Sequence, residues 1–183
     1  MDKKFISVKT VVAIGIGSAL MFVLMRFAAI PSGVPNTSLN LGIPILSVFA
    51  AIFGPVAGFL IGFIGHTLTD LTWGSVWWTW VIADAVYGLL VGIFWKAYRI
   101  EERDFGIQQA VIFNGVQIFS NMLAWVAIAP TLDILIYKEP IDKVYLQGLV
   151  ASSLNIAVVL VLGTLIAIGY SKMGSKERSL KEE

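Results

Sequence analysis

No cysteine occurs among the 183 residues, and histidine occurs once, at His66. Disulfides, thiolate metal sites and cysteine nucleophiles are therefore excluded. One imidazole with scattered carboxylates in apolar surroundings also makes a poor metal ligand set. Charge is scarce at 14% of residues, with a net charge of +1, so nothing points to nucleic acid. The chain has no Walker A sequence, dinucleotide-binding glycine fingerprint, HExxH or GxSxG. ATP hydrolysis by this chain is thereby excluded, and a membrane hydrolase built on Asp84 and His66 would lack a nucleophile or second base.

What is present is apolar. Hydrophobic residues make up 57% of the chain and mean hydropathy is +0.83, values of an all-α integral membrane protein. A span needs about 20 apolar residues to cross roughly 30 Å of hydrocarbon, so this length holds about six spans and no soluble catalytic domain. Interruptions by proline, glycine or charge divide residues 1–183, read as a single membrane domain, into six transmembrane helices at about 9–27, 41–53, 55–71, 78–96, 107–128 and 144–170. Gly54-Pro55 joins spans 2 and 3 in a tight hairpin. The segments 28–40 and 130–143 read as loops, the first long enough to act as a lid.

Lysine and arginine accumulate on the cytoplasmic side of a membrane protein. Lys3, Lys4, Lys9, Lys96, Arg99, Arg103, Lys172, Lys176, Arg178 and Lys181 fall on one side, against Arg26, Lys138 and Lys143 on the other. Both termini are thus expected to be cytoplasmic. The basic start before an apolar run has the form of a secretory signal, but Arg26 interrupts that run before any cleavage site. Trp73, Trp77 and Trp78 then sit at the outer interface as an aromatic belt, with Trp80 deeper.

A charged or amide side chain in hydrocarbon is costly, so it faces the bundle interior or a cavity. Asp84 lies inside span 4 with no opposite charge near it in sequence, and reads either as an interhelical hydrogen-bond partner or as a ligand contact. Asn114, Gln117 and Asn121 share one face of span 5, extended by Trp125; polar glue between helices and a binding stripe are both open readings. Span 6 places Gln147, Ser152 and Asn155 in its outer half. His66 and Asp70 lie one turn apart near the outer end of span 3, where they are expected to brace the mouth of a site, with Arg26 pairing with Asp70. Apart from Asn114, these groups gather between the outer surface and mid-membrane. A channel would be polar along its whole length; this pattern describes a cup open to the outside and sealed below. The candidate binding residues are Asp84, Trp80, Gln117, Asn121, Asn155, His66, Gln147 and Trp125. Span 1 carries two small-residue stripes, Ala13/Gly17 and Gly15/Ala19, that permit close approach of another helix; Gly58/Gly62 and Gly88/Gly92 have the same form and suit packing of the chain on itself.

The stretches KTVVAIGIGSAL, IFGPVAGFLIGFIGHTLTDL, WWTWVIAD and IAPTLDILIYKEP resemble the S components of energy-coupling factor (ECF) transporters, near the riboflavin-type, hydroxymethylpyrimidine and pyridoxine members. The resemblance covers about residues 8 to 170. It implies a bacterial plasma-membrane subunit that captures a vitamin or precursor from outside. It also implies docking through span 1, at Ala13 and Gly17, on a transmembrane scaffold (T component) driven by two cytoplasmic ATPases. On this reading the chain holds no cofactor, ATP and Mg²⁺ belonging to the partner ATPases. Family ligand contacts from the first outer loop and spans 4 to 6 match Trp80, Asp84, Gln117, Asn121 and Asn155 better than His66. The expected substrate is a small, flat, polar heterocycle: hydroxymethylpyrimidine or pyridoxine first, then riboflavin or a methionine precursor. A free-standing small-molecule transporter or channel and a membrane enzyme are the competing classes.

Overall fold

The computed structural model describes residues 7–179, with side chains described as far as Met173. Lys3, Lys4 and Lys181 lie outside the described residues, and only the backbone of Lys176 and Arg178 is described. Among the described residues, three helices are long and apolar enough to cross a membrane: α1 (Val8–Phe27), α6 (Ile107–Tyr137) and α7 (Ile141–Met173). Three shorter apolar helices, α2 (Gly42–Phe53), α3 (Pro55–Leu71) and α4 (Trp78–Ile93), pack among them. A single turn, α5 (Trp95–Tyr98), follows α4, and the helical backbone of α7 runs on to Ser179. Two-residue strands β1 (Ile30–Pro31) and β2 (Ser38–Leu39) pair antiparallel within the loop between α1 and α2. Helical backbone satisfies its own polar groups, which is what an apolar surrounding demands.

Local chemistry explains the element ends. Ser7 caps α1, its hydroxyl accepting from the Thr10 N–H. Between α2 and α3, Gly54 adopts φ 86° and ψ −173°, a conformation open essentially to glycine alone, and Pro55 then starts α3 with its φ already helical. Glycines also set the tightest packing. A Cβ at Gly58 would lie 2.1 Å from the Gly88 carbonyl oxygen, one at Gly62 2.5 Å from that of Asp84, and one at Gly92 2.5 Å from Pro55 Cα. Helices α3 and α4 therefore touch backbone to backbone. The small-residue pairs Gly58/Gly62 and Gly88/Gly92 serve this internal crossing.

The stripes on α1 face opposite ways. Ala13 and Gly17 are buried in the chain's own core, a Gly17 Cβ meeting Ile61 Cδ1 at 2.7 Å and Phe49 Cδ1 at 2.9 Å. Gly15 and Ala19 are exposed among Val12, Ile16 and Leu20. The stripe that the family resemblance assigned to docking, Ala13/Gly17, thus holds the chain to itself, and Gly15/Ala19 is the one left free.

The loop expected at 130–143 is corrected by the structure. Helix α6 continues through Pro130 to Tyr137, and only residues 138–140 separate it from α7. Proline lacks an N–H and its ring crowds the carbonyl four residues back. Here the turns before it, Met122–Ile128, are wound as π-helix, as are Asp133–Tyr137 after it, and the wider turn accommodates the ring. Span 4 is also shorter than expected: α4 stops at Ile93, and the helical turn after it ends at Arg99 in the left-handed conformation.

The molecule has two distinct ends. One gathers the start of α1, residues 99–106 and the far part of α7: Lys9 pairs with Glu101 at 2.5 Å, and Ser171 Oγ accepts from the Phe105 N–H. The other gathers the 28–41 loop, residues 72–77 and the turn between α6 and α7.

Candidate functional site

At this second end lies a cavity of about 880 Å³. Its walls come from α1, α3, α4, α6 and α7, and the 28–41 loop contributes Pro31, Val34, Pro35, Asn36, Thr37 and Ser38. The loop is a compact structure of its own. Ser32 Oγ donates to the Thr37 carbonyl at 2.7 Å and accepts from the Val34 N–H, while Gly33 and Asn36 take left-handed conformations that turn the chain. Gln147 from α7 donates its amide N–H to the Pro35 carbonyl at 2.8 Å, so its position is that of a tether between loop and wall.

One belt of hydrogen bonds and carboxylate–imidazole contacts crosses the cavity wall. Because Gly62 brings α3 against the backbone of Asp84, the next turn of α3 sets His66 opposite the Asp84 side chain. The ring Nδ1 lies 2.7 Å from Asp84 Oδ2, and Nε2 lies 3.5 Å from Asp70 Oδ1. Asp70 Oδ2 accepts from the Trp77 backbone N–H at 2.9 Å. The Trp77 indole N–H in turn donates to Asp133 Oδ1 at 2.7 Å, Thr79 donates to the same oxygen, and the Trp80 indole N–H donates to Asp133 Oδ2 at 2.7 Å. Asp84 is fully buried and does not line the cavity; His66 lines it, with Asp84 behind. The single histidine and the buried aspartate, separated in sequence, are one unit.

Of the other candidates, Trp80, Trp125, Gln147 and Asn155 line the cavity. The rings of Trp80 and Trp125 meet edge to face at 5.3 Å between centroids. Asn155 is 3% exposed, and its side-chain amide makes no hydrogen bond among the described residues. The Trp125 indole N–H and Asp84 Oδ1 are likewise buried without a hydrogen-bond partner. Gln117 and Asn121 are fully buried but lie off the cavity. Asn114 donates to Thr164 Oγ1 at 2.9 Å, Gln117 donates to Asn114 Oδ1 and the Ile156 carbonyl, and Asn121 donates to Gln117 Oε1 at 3.1 Å. This stripe ties α6 to α7.

Two expectations change at the mouth. Arg26 does not pair with Asp70: its guanidinium lies over the Trp73 ring, 4.1 Å from the centroid, while Asp70 is taken by Trp77 and His66. A backbone N–H and an imidazole on its own helix reach Asp70 with less side-chain entropy lost than a long arginine from α1 would lose. Asp133, placed in a loop by the sequence reading, is 1% exposed and anchors two tryptophans. A signal existed, since it is the only charged residue in the 31 residues of α6.

Comparison with known proteins gives a consistent family. The model of the ECF-type riboflavin transporter, S component, matches residues 5–172. A UPF0397 protein of Leuconostoc citreum is 50% identical over 178 residues, covering 97% of this chain and 95% of its own. UPF0397 proteins of Clostridium perfringens (47% over 184 residues, 100% of both chains) and Lacticaseibacillus casei (46% over 183 residues, 100% of this chain and 98% of the relative) are similar throughout. No solved structure matches. The chain belongs to the S component family of ECF-type riboflavin transporters, and so to the binding subunits of membrane transporters rather than to the enzymes.

Proposed function

We propose that the chain is the high-affinity substrate-binding S component of an ECF-type importer, capturing a small vitamin or vitamin precursor from outside a bacterial cell. The observation that carries this reading is the cavity of about 880 Å³, walled by aromatic and amide side chains and backed by tightly packed helices, in a chain of this family. Six spans with both termini cytoplasmic put that cavity at the outer face, under the 28–41 loop as lid. Hydroxymethylpyrimidine or pyridoxine fits best, with riboflavin or a methionine precursor next. A flat ring suits the Trp80 and Trp125 walls, and ring amine or hydroxymethyl groups suit the His66, Asp70 and Asn155 side chains.

Movement of the bound substrate needs partners: a transmembrane scaffold and two cytoplasmic ATPases, which hold the ATP and Mg²⁺. The exposed Gly15/Ala19 stripe of α1 is the face offered to the scaffold, since Ala13 and Gly17 are already packed. The test is uptake into liposomes. The purified chain binds its ligand without transport, and ATP-driven uptake begins only when scaffold and ATPases are added; uptake by the chain alone would establish the free-standing transporter instead.

A further inference from the structure

We propose that the cavity takes its ligand in a positively charged form, as a flat ring bearing a protonated or quaternary nitrogen. The charge is held by the Trp80/Trp125 pair and the Asp133 carboxylate. This deepens the S component reading and rests on it.

The argument begins with Asp133. Its carboxylate is buried on the cavity wall and satisfied by neutral donors: two indole N–H groups and the Thr79 hydroxyl. No cation pairs with it among the described residues. A buried carboxylate without a counter-charge is costly, and the cost falls when a cation enters beside it. Three basic side chains line the cavity, and each is engaged elsewhere: Lys143 pairs with Glu139 at 2.6 Å, Arg26 sits over Trp73, and His66 is held between Asp84 and Asp70.

The rings supply the second strand of the argument. With their N–H groups committed to Asp133, Trp77 and Trp80 have ring carbon rather than a donor left for the cavity. An N–H···carboxylate bond also pushes electron density into the indole, making its face more attractive to a cation. Trp80 and Trp125, with ring planes at 87°, form two walls of a corner of the kind that surrounds organic cations. Asn155 brings an unpartnered, nearly buried amide to the same cavity, able to read a polar substituent on the ring. Among the proposed substrates this favours the protonatable pyrimidine and pyridine rings over riboflavin.

A series with one ring and three charges tests the idea: 1-methylnicotinamide (cationic), nicotinamide (neutral) and nicotinate (anionic), titrated by calorimetry into the full-length chain freed of co-purified ligand. The cation is expected to bind at least about tenfold more tightly than the neutral ring, with the anion weakest. Asp133→Asn should shrink the cation-over-neutral ratio to within about threefold. The ratio in the unmodified chain is decisive even if that variant does not fold. Nicotinamide or nicotinate binding as well as the cation, or none of the three binding, overturns the proposal. Failure of the underlying reading shows separately, as no ATP-driven uptake of the co-purified compound with scaffold and ATPases present.

Discussion

The cavity wall and the helix layer beneath it are both rich in polar side chains, yet they use them differently. Beneath, Asn114 bonds Thr164 and Gln117 bonds the Ile156 carbonyl across the helix interface, while Gln117 also bonds Asn114 and Asn121 bonds Gln117 along α6, with only Asn121 Oδ1 of these amides left without a partner; Tyr87 bonds Ser47 at 2.6 Å. On the wall, carboxylates fix the rings from behind while the Asn155 amide stays free. Polar groups paired with each other act as glue; polar groups held in place but left unpaired are what a ligand completes.

The change with the largest expected effect removes the joint on which both regions depend. Gly62→Leu drives a side chain into the Asp84 carbonyl, so it should cost about 3 kcal/mol or more and lower the midpoint of thermal unfolding in detergent sharply; an unchanged midpoint would contradict the backbone contact of α3 and α4. Next comes Asp84→Asn. Because Asp84 acts on the cavity through His66, the substitution should weaken ligand binding at least about tenfold by calorimetry while the chain stays folded. Unaltered affinity would reduce the His66–Asp84 pair to packing.

A matched pair then separates glue from site. Asn155→Leu should weaken binding by about five- to tenfold with little effect on the unfolding midpoint. Gln117→Leu should do the reverse, costing about 1 kcal/mol of stability and leaving affinity within about threefold. If Gln117→Leu abolished binding, the division between the two regions would fall. The smallest effect belongs to Gln147→Leu, which cuts the tether to Pro35: affinity should drop about threefold, through faster ligand release in stopped-flow fluorescence.

Sequence patterns revealed one region far better than the other. The hairpin at Gly54-Pro55, the start and end of α3 and the glycine pairs of α3 and α4 were legible because local chemistry decides them. The joining of His66 to Asp84 was not, since it depends on the register at which two helices cross, and no spacing within one helix reports that. Asp133 was hidden for a different reason: Pro130 is a helix breaker in ordinary α-geometry, and the π-helical turns that accommodate it carry no local signature in a single sequence. The stripes of α1 were visible as patterns, but only the packing of Gly17 against Phe49 and Ile61 and the burial of Ala13 showed that both face inward.

The most direct test is mass spectrometry of the small molecule that co-purifies with the chain, compared among the unmodified protein, Asn155→Leu and Gln117→Leu. A small flat heterocycle is expected at one per chain in the unmodified protein, retained by Gln117→Leu and depleted from Asn155→Leu. Lipid alone, or a compound carried equally by all three proteins, would contradict the assignment of the cavity as the capture site.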